Sequence, residues 1–233
     1  IVTMDKSAVV ISVGGSLVVP KEGINIDFLN ELRLIVKFLL DNQVPVALVV
    51  GGGTTSRTYH KACSSFTHIT NQDIDWIGIR AISLNAELVR AIFSDMPLFP
   101  QIITDPETIA SHNDYPLYIV GAWEPGHSSD TNAVIVAEKL GTNRVINFSN
   151  VTHVYDRDPS LYSDAGKLKK ITWDEYLKLI PDTWVPNLSS PFDPVASRKA
   201  QALGMQVVVL GASTDNLQLY LRNEPFEGTL ITQ

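Results

Sequence analysis

Residues 47–57, ALVVGGGTTSR, form a short apolar run that stops at three glycines and continues into a polar segment with one arginine. An apolar run of this length that ends at glycine is typical of a buried strand. Gly51, Gly52 and Gly53 lack a Cβ, so the backbone can adopt a positive φ and bring its N–H groups against a ligand. Such groups at a helix start attract anions. The stretch therefore predicts a phosphate-binding elbow between a strand and a helix.

Two nucleotide-binding motifs are excluded at this elbow. No Gly-Lys-Ser or Gly-Lys-Thr triplet follows the glycines, which a Walker A loop requires. The dinucleotide fingerprint needs a third glycine where this chain has Ser56. A glycine turn that only lets the strand and the helix pack closely stays open as an alternative for this stretch alone.

A second apolar run, AVVISV at residues 8–13, also ends at glycines, Gly14 and Gly15, which Ser16 follows. Phosphoryl transfer requires two phosphate groups to be held in line while the charge between them is neutralised. Two elbows at adjacent strand ends would supply opposed sets of backbone donors for two phosphorylated ligands.

Composition narrows the class of protein. The chain has 233 residues, 45% hydrophobic and 18% charged, which is ordinary for a globular protein. Its net charge is −7, and the basic residues are scattered, so nucleic acid is not expected as a partner. Cys63 is the only cysteine, which excludes an intrachain disulfide and favours a reducing compartment. No apolar run reaches 18 residues, so we expect no membrane association and a cytoplasmic location.

Apolar runs alternate with segments of helical periodicity along the chain. This alternation predicts an α/β fold with a mostly parallel sheet covered on both faces. The predicted helices cover 28–42, 54–62, 70–92, 131–140, 172–179, 193–203 and 215–221, and a brief helix is predicted to start at 105–106. The predicted strands cover 8–13, 46–50, 101–104, 117–120, 144–148 and 205–210, with 229–232 as an edge strand. Four of these strands end at glycine, at the carboxyl edge where ligands of open α/β sheets bind.

Six motifs in one order along the chain resemble those of uridylate (UMP) kinases of the amino acid kinase superfamily, the archaeal branch in particular. They are SVGGS at 12–16, GGGTTSR at 51–57, DWIG at 75–78, EPGHSSD at 124–130, NVTHVYDRDP at 150–159 and FDPVA at 192–196. The resemblance implies a three-layer αβα fold in a single domain, 1–233. Within it, an acceptor-binding lobe spans about 1–140 and an ATP-binding lobe about 141–233. The implied reaction transfers the γ-phosphoryl group of ATP to UMP, and the implied assembly is a homohexamer built as a trimer of dimers.

The resemblance also implies residue roles. The ATP side comprises Ser12, Val13, Gly14, Gly15, Ser16, Gly53, Arg57, Ser149, Asn150, Tyr155 and Asp158. The UMP side comprises Gly52, Asp75, Trp123, Glu124, Pro125, Gly126, His127, Ser128 and Ser129, with Asp75 on the ribose. Arg57 and Asp193 are the implied catalytic residues. Magnesium is expected to arrive with ATP, held mainly by phosphate oxygens without a dedicated protein cage.

Some of these residues have simpler structural explanations. Arg57 offers a planar fork for phosphate one turn past the elbow, but an exposed helical arginine is often only solvated. Asp75 is predicted in the first turn of a helix, where the dipole favours carboxylates in any case. Ser128, Ser129 and Asp130 can serve as a helix cap, and Asp193 before a proline is a good N-cap. These alternatives are left open by the sequence.

The chain departs from the family pattern in two places. Ser12 stands where many members have a lysine, although archaeal relatives also lack it. Thr152-His153 stands where the family has Asp-Gly, and a histidine with positive φ would be strained by about 1 kcal/mol or more. Two alternatives therefore remain: a kinase for another small phosphate or carboxylate acceptor, and a nucleotide- or oxyanion-binding relative without catalysis.

Overall fold

The computed structural model describes residues 6–112, 114–183 and 190–233. The strands at 46–50, 117–120 and 144–148 match their predicted bounds, and the first and eighth strands begin one residue later than predicted. The strands are β1 (Val9–Val13), β2 (Val46–Val50), β3 (Leu117–Val120), β4 (Arg144–Phe148), β5 (Val154–Tyr155), β6 (Lys167–Leu168), β7 (Lys170–Thr172), β8 (Gln206–Leu210) and β9 (Thr229–Thr232).

The helices begin at caps that the sequence predicts. Thr70 and Asp73 form a reciprocal capping box, as do Thr172 and Glu175, because each hydroxyl and each carboxylate accepts the other residue's backbone N–H. Asn25 caps the helix that begins at Ile26. The helices are α1 (Gly15–Val18), α2 (Ile26–Asp41), α3 (Gly53–Cys63), α4 (Asn71–Ile92), α5 (Ser129–Lys139), α6 (Trp173–Leu179), α7 (Pro194–Ala202) and α8 (Thr214–Leu221), with a 3-10 helix at Pro106–His112.

Seven strands form one sheet in the order β3-β2-β1-β4-β8-β9-β7, and its first five strands are parallel. β1 pairs with β2 from Val9 opposite Val46 to Val13 opposite Val50. The two glycine elbows therefore leave the sheet side by side at its carboxyl edge. This is the adjacency that the sequence predicted.

Alternate residues of the strands face two separate apolar clusters. Val9, Ile11 and Val13 pack with α2, α4 and α8 on one face of the sheet. Val10 and Val49 pack with α5, α6 and α7 on the other face. Helices thus cover both faces of a mostly parallel sheet, and the predicted three-layer αβα architecture is confirmed.

Two strand predictions are wrong. Residues 229–232 are not an edge strand, because β9 lies inside the sheet, antiparallel to β8 and parallel to β7. Residues 101–104 form no strand; Ile103 makes only an isolated bridge to Val120. The short β5–β6 hairpin, β7 and α1 were not predicted, since two to four residues carry too little periodicity to be recognised. Across the described residues, none of the helices combines the length and apolar character needed to cross a membrane.

Candidate active site

The two elbows touch through their glycines. A Cβ on Gly15 would lie 2.1 Å from the nitrogen of Gly53, and a Cβ on Gly53 would lie 2.1 Å from the carbonyl oxygen of Gly15. Gly53 also has a φ of +58°, which side chains rarely adopt. Only glycine fits at both positions, so the close approach of the two backbones explains the glycines of both motifs.

Asn85 of α4 fixes the second elbow from behind. Its side-chain nitrogen donates hydrogen bonds to the carbonyl oxygens of Gly51 at 3.0 Å and Gly52 at 2.9 Å. In a trans peptide the N–H points opposite to the C=O, so the amide groups that follow these carbonyls point away from Asn85. The sequence reasoning missed this residue. Its signal is a buried polar side chain among apolar neighbours on α4.

Arg57 joins the two elbows across their open side. Its guanidinium donates hydrogen bonds to the hydroxyl of Ser16, at 3.1 Å, and to that of Thr54, at 2.9 Å. The side chain is exposed and lines a cavity beside the elbow, so it is not merely a solvated residue on a helix. A planar cation between two sets of backbone donors is suited to phosphate groups.

A network of two carboxylates and two hydroxyls lies beside the elbows. Asp130 accepts hydrogen bonds from the hydroxyl of Ser12 at 2.9 Å and from the backbone N–H of Asp193 at 3.1 Å. Asp193 accepts a short hydrogen bond from the hydroxyl of Ser128 and caps α7 through the N–H groups of Val195 and Ala196. The network connects β1, α5 and α7. Asp193 therefore combines the two positions considered for it: it is the N-cap of α7, and it also lines the cavity beside the elbows.

Burial raises the pKa of Asp130 to about 7, and the negative charge of Asp193 acts in the same direction. The hydrogen bonds from Ser12 and from Asp193 oppose this rise in pKa only in part. Asp130 is therefore no ordinary helix-capping carboxylate: the N-cap of α5 is Ser128, whose hydroxyl accepts from Thr131. The sequence reasoning missed the place of Asp130 in the site.

One cavity gathers most of the residues assigned to UMP. It is lined by α3, α4 and the loop before α5. Asp75 is the fifth residue of α4, and the acidic residue of the first turn is Asp73, so the expected first-turn position of Asp75 is wrong. The helix dipole therefore does not explain Asp75. The lining includes Gly52, Gly53, Arg57, Asp75, Glu124, Pro125, Gly126, His127, Ser128, Ser129 and Asp193, together with His60, Asp130 and Ser190, which were not predicted as site residues.

Trp123 lies outside the lining of this cavity. Its ring packs against the ring of His127, with centroids 4.8 Å apart. The tryptophan therefore supports a cavity-lining histidine from behind, an arrangement that the sequence does not reveal.

A second cavity gathers the residues assigned to the adenosine side. Ser149, Asn150, Tyr155 and Asp158 line it, and Ser190 lines both cavities, so the two lie next to each other. The residues of the first elbow, 12–16, line neither cavity, and the Ser12 hydroxyl is committed to Asp130. Ser12 is thus connected to the first cavity through Asp130, which lines it.

The Thr152-His153 pair does not strain the loop. Outside glycine, the described residues adopt a positive φ only at Gln43 and Asn223. The expectation that His153 would be strained is therefore wrong. Its imidazole is instead buried in the wall of the second cavity.

No group of three or more His, Cys, Asp or Glu side chains that could hold a metal occurs within 6–112, 114–183 and 190–233. The carboxylates of Asp130 and Asp193 lie beside the elbows, with the hydroxyl of Ser12 hydrogen-bonded to Asp130. Carboxylate and hydroxyl oxygens suit a hard cation such as Mg²⁺, which usually takes one or two protein carboxylates together with substrate phosphates.

An open α/β sheet with paired glycine elbows and two adjoining cavities at its carboxyl edge defines a protein that can hold two phosphorylated ligands face to face. Residues 7–211 match the profile of the amino acid kinase family, and the chain belongs to that family.

Its relatives include uridylate kinases. The chain is 30% identical to the uridylate kinase of Methanococcus aeolicus, over 96% of this chain and 98% of the relative. It is 31% identical to that of Methanocaldococcus jannaschii, with the same coverage of both chains. The crystal structure of uridylate kinase from Archaeoglobus fulgidus superimposes with a TM-score of 0.78 at 25% identity, covering 97% of this chain and 100% of that one. The resemblance predicted from the six motifs is confirmed.

Proposed function

We propose that the protein is a UMP kinase that transfers the γ-phosphoryl group of ATP to UMP, giving UDP and ADP. The observation that carries this is the contact between Gly15 and Gly53, which brings two phosphate-binding elbows together where two cavities adjoin. The names of the relatives point to UMP as acceptor.

The first cavity is the proposed UMP site. Gly52, Gly53, Arg57 and Asp75 line the same cavity. The amides of the glycines and the guanidinium of Arg57 would take the phosphate, and the carboxylate of Asp75 would accept hydrogen bonds from ribose hydroxyls. Glu124 to Ser129 would close around the base.

The second cavity is the proposed adenosine site. Ser149, Asn150, Tyr155 and Asp158 line it and offer aromatic and polar contacts. From there the triphosphate would run along residues 13–16 towards Gly53. In-line approach of two bound phosphates provides much of the acceleration in such reactions, because the entropy of association is already lost on binding.

Arg57 would neutralise charge on the transferred phosphoryl group, since its guanidinium lies between Ser16 of the donor elbow and Thr54 of the acceptor elbow. No general base is needed, because the phosphate of UMP is already anionic. Asp193 would position Ser128 and Asp130 at the acceptor side.

Mg²⁺ is the proposed cofactor, brought with ATP. Asp130, with the hydroxyl of Ser12 beside it, is the carboxylate that would help to hold the ion, and Asp193 the next. The ion would supply positive charge to the donor phosphates.

We further propose an acceptor lobe of about 1–140, an ATP lobe of about 141–233, a cytoplasmic location and assembly into a homohexamer. Tyr59, Phe66, Trp76 and Leu84 are apolar side chains exposed on or next to α3 and α4. Exposed apolar side chains grouped in this way are typical of an interface, which supports the oligomer.

The proposal is tested by ADP release from MgATP with UMP, dUMP, CMP, AMP and isopentenyl phosphate as alternative acceptors. Turnover with UMP that exceeds turnover with each other acceptor by at least tenfold is expected. Turnover with another acceptor but not with UMP would make the protein a different kinase of the family. ATP binding without turnover on any acceptor would make it a relative without catalysis.

A further inference from the structure

The loop between β4 and β5 carries the Thr152-His153 departure and forms part of the wall of the second cavity. His153 is only 2% exposed. Thr152 packs its methyl group against Gly211 at the carboxyl end of β8, where a Cβ on the glycine would lie 3.2 Å away. His153 is thus enclosed by the protein, whereas Thr152 is exposed and only its methyl group lies against β8.

Both ring nitrogens of His153 lie near polar side chains. Nδ1 is within hydrogen-bond distance of the hydroxyl of Thr152, at 2.9 Å. Nε2 lies 3.6 Å from a carboxylate oxygen of Glu227, which is a contact too long for a hydrogen bond. The buried imidazole therefore brings its own loop into contact with the segment before β9.

That segment is itself held in place. The side chain of Asn216 on α8 both donates to and accepts from the backbone of Glu227, each at 2.8 Å. Two residues later, the buried hydroxyl of Thr229 accepts from the backbone N–H of Val154 at 2.8 Å and donates a short hydrogen bond to the carbonyl of Leu168. Segment 227–229 thus anchors both strands of the β5–β6 hairpin.

We propose that His153 is a positioning residue for the donor nucleotide: it fastens the cavity-lining loop 149–155 to segment 227–229 and thereby sets the affinity for ATP. This rests on the proposed assignment of the second cavity to ATP. Tyr155 and Asn150, which line that cavity, lie on either side of the fastened pair. A loop held in its binding conformation loses less entropy when the ligand binds.

The charges around His153 keep it neutral. Burial lowers its pKa, the positive charges of Lys167 and Lys169 act in the same direction, and Glu227 opposes them. The neutral ring carries one nitrogen without a proton, which can accept a hydrogen bond from the Thr152 hydroxyl.

The experiment is calorimetric titration of the full chain with MgATP and, separately, with UMP, for the wild type, His153→Ala, His153→Asn and Glu227→Ala. Glu224→Gln serves as a control on an exposed carboxylate three residues before Glu227. If His153→Ala leaves the loop in its binding conformation a tenth of the time, the Kd for MgATP rises about tenfold while the Kd for UMP changes less than about twofold. Asn offers an acceptor oxygen near the position of Nδ1, so His153→Asn should restore part of the affinity.

Glu227 is 72% exposed, so its replacement cannot unfold the chain by opening a core cavity. Glu227→Ala should raise the Kd for MgATP by about threefold even if His153→Ala does not fold. Unchanged affinity for MgATP in Glu227→Ala and His153→Ala, or an equal loss for both nucleotides, would overturn the inference. Binding is measured without turnover, so failure of the proposed UMP kinase activity would be seen separately.

Discussion

The hydroxyl of Ser12 donates a 2.9 Å hydrogen bond to Asp130, although 118 positions separate the two residues. Ser12 lies in β1 just before the first elbow, and Asp130 lies in the first turn of α5. The backbone N–H of Asp193, at the start of α7, donates to the other oxygen of the same carboxylate. Asp130 is therefore the point where three elements meet beside the two elbows, and we expect activity to depend on its charge.

Replacing Asp130 with asparagine should lower kcat/KM by about 10² to 10³, because the neutral amide could no longer help to hold the magnesium ion that neutralises the donor phosphates. Since the pKa of Asp130 in the free protein is about 7, kcat/KM of the wild type should rise with pH through that region. Steady-state rates between pH 5.5 and 9 provide the test. A pH profile in Asp130→Asn that still rises through pH 7 would contradict the assignment.

The same substitution should stabilise the protein in alkaline buffer. The pKa of Asp130 rises on folding from its ordinary value of 3.8 to about 7, so the folded state binds more protons within that window. Stability from this residue is full below about pH 4 and is lost as pH rises to about 7. Asp130→Asn should therefore have a higher Tm than the wild type at pH 8, by about 2–4 °C per kcal/mol regained, and an equal Tm at pH 4.

Asp164, a carboxylate that is 75% exposed, provides the matched control. Asp164→Asn should follow the Tm of the wild type at every pH. A lower Tm for Asp130→Asn at pH 8 than for the wild type would show that the buried carboxylate stabilises the fold in its charged form, contrary to this account.

Replacing Arg57 with alanine should reduce kcat by about 10² or more, because the cation that joins the two elbows is lost. Arg57→Lys should recover only part of this, since an ammonium group cannot reach Ser16 and Thr54 with two parallel donors. The side chain is exposed, so Tm should change by less than about 2 °C in both variants. Coupled assays and thermal melts measure these effects; full activity of Arg57→Ala would remove the residue from the mechanism.

Comparison of Gly53 with Gly141 distinguishes the cost of a positive φ from the cost of a steric collision at the elbow. Gly53 has a φ of +58° and Gly141 a φ of +68°, but only at Gly53 would a Cβ collide with another backbone. Gly141→Ala should cost about 1–2 kcal/mol and keep its activity, since it meets only the left-handed strain. Gly53→Ala should lose activity by more than about 10³ and destabilise further. Denaturant unfolding curves and rate assays on both variants measure these two effects. Similar losses of activity at the two positions would contradict the elbow contact.

Local signals made much of this fold predictable. Apolar runs that stop at glycine gave the carboxyl ends of β1 and β2, and the pairs Thr70 with Asp73 and Thr172 with Glu175 gave two helix starts. Each of these depends on residues within a few positions of one another, where hydrogen bonding and steric rules act directly.

Relations across the chain were not predictable from those signals. The pairing of Ser12 with Asp130 depends on strand order, and the two carbonyl bonds of Asn85 depend on how α4 lies behind the elbow. Trp123 is an aromatic residue of the kind that can stack on a base, yet its ring packs against the ring of His127. The position of β9 inside the sheet likewise depends on its pairing with both β8 and β7.

Phosphorus NMR of the purified protein with MgATP and UMP tests the central claim most directly, because it observes the bond that forms. The account predicts that the UMP resonance decreases while α- and β-phosphate resonances of UDP and ADP appear in equal amounts, and that Arg57→Ala slows this by about 10². An unchanged UMP resonance in the presence of ATP, with or without release of inorganic phosphate, would contradict the transfer of phosphate between the two elbows.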